Sequence, residues 1–334
     1  MDDNSKENLN TDKFLRNECN ISKSLKNSID IIYMKNKKRF GTVACRNLGI
    51  KTARGNVVAF LDDDGFAHKD WLKMLAKHYS NDEIVGVGGP VIEIGRKIKT
   101  PKSKVKKLAE ITEEGEVVSH YRIKNISDYK KLKQDFVPFL QGGNMSFRKG
   151  VLLKVHGADI IFSGNFYREE TDLSLKVGKM GKLFFEPKAI TYHDTAFYGG
   201  NREVVKFNIN DFLFWYYRNT ALLFLKHFDF LDSVNKLLKL VKKQVNLLMK
   251  GKTGLTRDYL KIRSSNQAIV SVFLGSLNGV LTGSLNRNKQ VDSLFSSDPE
   301  YEQTYSIKFN NGITYITTWN GKINFFKRIF LFKE

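Results

Sequence analysis

The sequence predicts an α/β protein with a mainly parallel sheet flanked by helices. Two short, continuous apolar runs, 57–61 and 84–88, have the length and composition of buried parallel strands. Segments with helical spacing alternate with such runs at the interval of strand–helix–strand units. The first run also leads directly into Asp62, Asp63 and Asp64, as expected where a strand ends at the carboxyl edge of an open sheet.

Each element of this domain has a local signal. The helix at 44–53 is ended by Gly55, and Asp70 opens a helix whose apolar residues recur at helical spacing. Acidic residues begin the helix at 168–179, where the helix dipole favours them. The expected order is a strand at 29–33, a helix at 44–53, a strand at 57–61, a helix from Asp70, a strand at 84–88, a helix at 168–179 and one or two strands at 183–192.

Length, composition and charge limit the classes of protein. A chain of 334 residues with 41% hydrophobic residues predicts two folded domains, or one large domain with an extension, and excludes global disorder. Its two cysteines, Cys19 and Cys45, exclude a disulfide framework and a four-cysteine zinc site. The net charge of +20 predicts an anionic partner, which could be a nucleotide, a nucleic acid or an acidic membrane surface.

The composition changes near residue 205, and we expect domains at 1–205 and 206–334. The second part predicts a basic amphipathic helix at 231–248, a second, weakly polar helix at 267–285 and a small β-meander at 305–326. Lysines between the apolar residues of 231–248 favour a helix that packs on the first domain. Aromatic and basic residues in 215–230 favour contact with a membrane surface.

The acidic cluster is the strongest chemical signal. Adjacent carboxylates repel one another unless they are solvated or hold a cation, and Mg²⁺ or Mn²⁺ prefers carboxylates together with phosphate oxygens. Asp62, Asp63 and Asp64 therefore predict a metal that bridges the protein to a nucleotide diphosphate. The alternative is a solvated loop in front of the helix at Asp70.

Two further signals are weaker when taken alone. Glu169, Glu170 and Asp172 could supply a general base for an acceptor hydroxyl, or only favourable charge at a helix start. His193 ends an apolar strand, where it could bind a metal or be an ordinary loop histidine.

In their order along the chain these signals resemble family 2 glycosyltransferases of the GT-A fold. Residues 46–55 resemble the family's RN-x-G-x-x-x-A-x-G helix, and 60–64 its DxD segment. Residues 142–148 resemble its G-x-N-x-x-x-R strand. Residues 169–175, followed by Phe185-Glu-Pro and His193, resemble its ED-x-D-L, FEP and histidine sequence. The resemblance covers about residues 2–195.

The resemblance implies a role for each matching residue. Asp64 would be the direct metal ligand and Asp62 would face the ribose, while Glu170 stands where the family usually has an aspartate as the general base. The implied catalytic residues are Glu170, Glu169 and Asp172, and the implied metal ligands are Asp62, Asp64 and His193. The implied nucleotide-sugar residues are Asp2, Asp3, Arg46, Asn47, Asp62 and Asp63, and the acceptor-side residues are Gln141, Gly142, Gly143 and Asn144.

The implied reaction is metal-dependent and inverting transfer of a sugar from a nucleotide diphosphate sugar to a hydroxyl of a glycan or lipid-linked acceptor. The divalent metal would be Mg²⁺ or Mn²⁺. The basic stretch at 96–107 would border the acceptor site as a lid, or be a solvated loop.

The chain departs from the family at its start, because Met1-Asp-Asp-Asn-Ser5 matches the end of the family's second strand. We therefore expect the first strand–helix–strand to be absent, through a truncated gene model, a split enzyme with a partner chain that supplies these strands, or a non-catalytic copy. A basic nucleic-acid-binding protein is the other alternative, and it does not explain the aspartates. The polar start predicts a cytoplasmic protein that could lie at the inner face of a membrane.

Overall fold

The computed structural model describes residues 30–36, 38–94, 107–194, 208–253, 264–286, 301–310 and 313–319. The chain forms two compact units. One contains Met1–Gly49 and Phe295–Glu334, and the other contains Ile50–Leu294. The expected boundary at 205 falls in 195–207, outside the described residues, and it stays a prediction.

The first unit contains a three-stranded antiparallel sheet. Strand β1 (Asp30–Asn36) pairs with β13 (Tyr301–Asn310), which pairs in turn with β14 (Ile313–Trp319). Helix α1 (Thr42–Thr52) begins here, and Met34 packs with Leu48 in a small core. The expected strand at 29–33, the helix at 44–53 and the hairpin after 305 are confirmed. The third strand of the expected meander, at 323–326, lies outside the described residues.

The second unit contains a five-stranded mixed sheet. Its strands are, in spatial order, β2 (Val57–Phe60), β10 (Met145–Arg148), β4 (Ile84–Gly88), β11 (Lys182–Phe185) and β9 (Asp135–Phe136). Strands β4 and β11 are parallel, whereas β10 runs antiparallel to both β2 and β4. The α/β class is confirmed, but the expectation of a mainly parallel sheet is wrong. Apolar runs predict strand burial and carry no information on strand direction.

A four-stranded sheet continues three of these strands after short bends. Its order is β3 (Gly65–Ala67), β12 (Thr191–Asp194), β5 (Val91–Ile94) and β8 (Arg122–Ile123). Strand β2 leads into β3 through the acidic segment 61–64, β4 leads into β5, and β11 leads into β12. A two-stranded antiparallel sheet, β6 (Ala109–Ile111) with β7 (Val117–Ser119), completes the described strands of this unit.

Three short helices flank the sheets. They are α2 (Trp71–Ala76), α3 (Lys149–Lys154) and α4 (Glu169–Gly178), and single 3₁₀ turns occupy Lys77–Ser80 and Ile126–Lys131. Trp71 and Leu75 of α2 are buried against Ile84 and Val87 of β4. The helices expected at Asp70 and at 168–179 are confirmed.

The C-terminal helices share a core with this unit. They are α5 (Ile209–His227), α6 (Phe230–Met249) and α7 (Ser265–Asn286). Phe212, Leu213 and Leu222 of α5 are fully buried in a cluster that also contains residues of α6 and α7. The expectation that 215–230 lies against a membrane is wrong, because most of α5 is enclosed by its neighbours. The expectation that the apolar face of 231–248 packs inside the protein is confirmed.

Helix α7 presents two different faces. Its small residues Gly275, Gly279 and Gly283 lie against α5 so closely that a Cβ at Gly279 would overlap the carbonyl oxygen of Arg218. The opposite face carries large apolar side chains that are between 54% and 74% exposed: Val270, Phe273, Leu274, Leu277, Leu281 and Leu285. Of the helices in the described residues, only α7 is long and apolar enough to cross a membrane, judged by length and composition.

A buried ion network joins α4 to the end of α5. The Asp172 carboxylate lies 2.8 Å from Lys226 Nζ and accepts a hydrogen bond of 2.9 Å from His227 Nε2. Lys226 also pairs with Asp159 at 2.6 Å. Burial alone would raise the pKa of Asp172, but the Lys226 charge and the His227 hydrogen bond hold it well below its usual range. Burial lowers the pKa of His227 despite that hydrogen bond. The start of α4 is thereby fixed to α5.

We expect Gly279→Ala to destabilise the protein by about 1–3 kcal/mol, because the added methyl group forces α7 away from α5. Gly150→Ala in α3 is the matched control, since a Cβ there meets no atom within 4 Å. Alanine is the better helix former, so the control should be neutral or stabilising. Urea unfolding of the two variants checks the difference, and equal midpoints would contradict the close packing.

We expect Asp172→Asn to lower the free energy of unfolding by about 1–3 kcal/mol at neutral pH, because Lys226 and His227 lose a charged buried partner while Lys226 keeps Asp159. Asp82→Asn is the control, since its side chain is fully exposed. The native pKa of Asp172 is lowered, so its stabilising effect is present above the unfolded value of about 3.9 and is lost as the pH falls below it. Denaturant unfolding should therefore show a difference between wild type and Asp172→Asn that narrows below about pH 4. If the difference in unfolding free energy between the two proteins does not change with pH, the result would contradict the ion network.

Candidate functional site

The register of β12 places His193 at the centre of the site. His193 pairs with Gly65 of β3 on one side and with Glu93 of β5 on the other. Side chains of directly paired residues lie on the same face of a sheet. His193 therefore lies beside both the acidic segment that precedes β3 and the carboxylate of Glu93.

Two aspartates of the acidic segment converge on His193. Its Nε2 lies 3.0 Å from Asp64 Oδ1 and 3.8 Å from Asp62 Oδ2. One ligand atom from each of the three residues fits within 4.8 Å of the others, a spacing that could hold a metal ion. Within the described residues this is the one such group. The structure thus brings together the three candidate metal ligands that the sequence indicated, while Asp63 is exposed beside them.

The surroundings of the imidazole fit a bound cation. Its second nitrogen, Nδ1, lies 3.4 Å from Glu93 Oε2, so a carboxylate faces each nitrogen of the ring. In metal sites, a histidine that binds the ion through one nitrogen commonly donates the N–H of the other to a carboxylate. Glu93 beside Nδ1 and the aspartates beside Nε2 have this arrangement.

Glu93 and Arg122 were not among the residues indicated by the sequence. Glu93 is 3% exposed, and Arg122 of the neighbouring strand β8 forms an ion pair with it. The one local signal is a single carboxylate in the apolar run Val91-Ile-Glu-Ile94. A lone charged residue in a buried strand requires a partner, and only the folded sheet identifies that partner as Arg122.

The turn at 141–144 contains the residues predicted to face the acceptor, and it is called the acceptor-side turn below. It lies against the acidic segment 61–64. Gly143 approaches Asp62 so closely that a Cβ there would lie 2.9 Å from Asp62 Oδ2. Asn144 is fully buried, accepts a hydrogen bond of 2.8 Å from Trp71 Nε1, and donates to the carbonyl oxygens of Pro90 and Ala189. Asn144 therefore fixes the turn in place, and its bonded, buried amide does not face an acceptor.

Gln141 connects this turn to β8. With the amide oriented to satisfy both of its polar atoms, Gln141 Oε1 accepts hydrogen bonds from the Arg122 guanidinium, at 2.7 Å from Nη2. The acceptor-side turn and the residue that pairs with Glu93 are thus in direct contact.

The start of α4 holds the candidate base. Glu170 is half-buried and Glu169 is buried at the first turn of the helix. Arg168 precedes them with φ = 74°, a left-handed conformation that non-glycine residues adopt at a cost, often at functional sites. Its guanidinium donates to Tyr216 Oη at 2.7 Å, which holds this backbone in place. Asp172 lies in the buried network with Lys226 and His227, which assigns its carboxylate to the attachment of α4.

The remaining candidates are either in the first compact unit or outside the described residues. Arg46 and Asn47 are on α1, in the first compact unit, where Asn47 is buried and Arg46 is half-buried. Asp2 and Asp3 lie outside the described residues, as does the basic stretch up to residue 106. These residues stay predictions.

Comparison with known proteins finds similarity to one family of glycosyltransferases. Residues 1–155 match the model of the family described as Glycosyl transferase family 2. A glucosyl-dolichyl phosphate glucuronosyltransferase of Haloferax volcanii is 29% identical over 133 residues, which are 39% of this chain and 38% of that protein. The match thus spans less than half the length of that relative.

Two solved structures are similar at low level. One is GalNAc-T7 with UDP, GalNAc and Mn²⁺, with a TM-score of 0.41 and 14% identity over 75% of this chain and 45% of that one. The other is S. aureus TarS 1-349 in complex with UDP-GlcNAc, with a TM-score of 0.43 and 14% identity over 96% of this chain and 87% of that one. The resemblance to glycosyl transferase family 2 therefore depends on the sequence match of residues 1–155.

Proposed function

We propose that this chain transfers a sugar from a nucleotide diphosphate sugar to an acceptor hydroxyl, with a divalent metal and with inversion at the anomeric carbon. The observation that carries the proposal is the convergence of Asp62, Asp64 and His193 in a chain whose first 155 residues match family 2. A donor with two phosphates also suits the net charge of +20.

The ligand set favours Mn²⁺ over Mg²⁺. Mg²⁺ prefers an all-oxygen octahedral shell, whereas His193 offers an imidazole nitrogen beside the oxygens of Asp62 and Asp64. When bound, the cation would neutralise the negative charge that develops on the leaving diphosphate. Asp62 and Asp63 are the proposed contacts of the donor nucleotide in this unit, and the roles of Asp2, Asp3, Arg46 and Asn47 stay predictions from the sequence.

Glu170 is the proposed general base. It would accept the proton of the acceptor hydroxyl while that oxygen attacks the anomeric carbon on the face opposite the leaving group. Glu169 lies beside it and is the reserve candidate. Gln141, Gly142 and Gly143 are the proposed border of the acceptor site, because this turn lies next to the metal ligands. The fixed backbone at Arg168 supports precise placement of the base.

The acceptor is proposed to be a glycan or a lipid-linked sugar. The name of the Haloferax relative specifies an acceptor on dolichyl phosphate, which supports the lipid-linked choice. We further propose that the apolar stripe of α7 (Val270, Phe273, Leu274, Leu277, Leu281 and Leu285) contacts the bilayer that carries such an acceptor. All 22 residues of α7 are uncharged, and exposed lysines of the adjoining α6 (Lys239, Lys242 and Lys243) and just after it (Lys250) suit anionic headgroups.

The test of the transferase combines binding and turnover. Wild type should bind Mn²⁺ in isothermal titration calorimetry and should release nucleoside diphosphate from at least one member of a nucleotide-sugar panel. Asp64→Asn should weaken Mn²⁺ binding by about tenfold or more, because a charged ligand is lost. Glu170→Gln should bind Mn²⁺ normally and lose about 10²–10⁴-fold in turnover.

Glu83→Gln on the exposed surface is the control and should match wild type in both assays. Donor binding without turnover in wild type would identify a non-catalytic relative. The protein could instead bind nucleic acid with strong salt dependence and bind neither Mn²⁺ nor the donor. That result would support the alternative of a basic nucleic-acid-binding protein.

The membrane contact is tested by vesicle flotation. Wild type should float with phosphatidylcholine vesicles that contain phosphatidylglycerol. The double variant Leu277→Glu and Leu281→Glu should partition about tenfold less, since two leucines lose their apolar surroundings. Leu72→Glu, at an exposed leucine of α2, should bind like wild type. Equal flotation of all three proteins would contradict the proposed bilayer contact. So would the finding that wild type forms concentration-dependent dimers and that the double variant abolishes them.

A further inference from the structure

We propose that Glu93 is a positioning residue of the metal site that acts through His193. It fixes the imidazole with Nδ1–H towards Glu93, so that the Nε2 lone pair faces the space between Asp62 and Asp64. The inference rests on the proposed metal site and adds a residue that does not itself bind the metal.

The register of the sheet makes the contact specific. Strands β5 and β12 are parallel, and their pairing sets Glu93 directly beside His193 on the same face. Glu93 Oε2 lies 3.4 Å from His193 Nδ1, a long hydrogen bond. The ring thereby has a defined orientation before any metal arrives.

Charge also supports the role. The Glu93 side chain is fully buried, so it can remain ionised only with a charged partner, and the Arg122 ion pair provides one. Among the described residues, Asp62, Asp64 and Glu93 bring three carboxylates to one imidazole, and carboxylates grouped with a histidine are the donors that a divalent cation uses.

The same residues connect the metal ligands to the acceptor-side turn. Arg122 pairs with Glu93 and donates to Gln141 at one end of the turn, while Gly143 lies against Asp62 further along it. The contacts of His193 with Glu93 and with Asp62 join the two ends, so that the whole set forms a closed ring of contacts. The orientation of the metal ligand and the position of the turn therefore depend on one set of contacts.

The first measurement is the Mn²⁺ affinity of Glu93→Gln by calorimetry. The substitution keeps the shape of the side chain and removes its charge, and loss of such an orienting carboxylate weakens metal binding by about 10- to 100-fold. Glu83→Gln, which lies on the surface, is the matched control and should bind Mn²⁺ like wild type. Unchanged affinity in Glu93→Gln would overturn the inference while leaving the proposed transferase intact.

A double-mutant cycle separates positioning from a general structural effect. If Glu93 acts through the histidine, its substitution should have no further effect on Mn²⁺ affinity in a His193→Gln background. A full additional loss in the double variant would overturn the positioning role. Urea unfolding of each variant provides the stability reference for this comparison.

A third readout needs no metal. With ¹⁵N-labelled histidine at pH 8, the His193 signal, assigned among the six histidines by its loss in His193→Gln, should show a protonated Nδ1 and an unprotonated Nε2. The opposite tautomer would overturn the inference. If wild type has this tautomer but does not bind Mn²⁺, the result would contradict the proposed metal-dependent function. It would still support the orientation of the His193 imidazole by Glu93.

Discussion

Strand β12 lies between β3 and β5, and its register sets His193 opposite Gly65 on one side and Glu93 on the other. A slip of one residue would move every side chain of the strand to the other face of the sheet. The imidazole would then lose both the aspartates and Glu93. The chemistry at this edge therefore depends on backbone pairing as much as on the identity of the acidic residues.

The C-terminal helices belong to the same structure as the site. The end of α5 supplies Lys226 and His227 to the fully buried carboxylate of Asp172 on α4. Tyr216 of α5 also binds the guanidinium of Arg168, immediately before the candidate base. Because these contacts hold the first turn of α4, the part of the chain after 205 contributes to the geometry of the part before it.

Local patterns predicted most strands and helices of the described residues, and the motif resemblance indicated Asp62, Asp64 and His193 before their proximity was known. Strand direction was predicted wrongly, since β10 runs antiparallel inside a sheet that the apolar runs suggested was mainly parallel. The prediction that 215–230 contacts a membrane surface was also wrong. Aromatic and basic residues are equally compatible with a lipid surface and with a helix enclosed by its neighbours.

The sequence by itself determined the α/β class, the acidic segment after β2 and the match of residues 1–155 to the model of glycosyl transferase family 2, because these are encoded in residues close together along the chain. Only the tertiary structure decided that Glu93 orients His193, that Arg122 contacts both Glu93 and the acceptor-side turn, and that Asp172 anchors α4. These partners lie far apart in sequence. Ion pairs and hydrogen bonds between them form only when strand order and register bring the strands together.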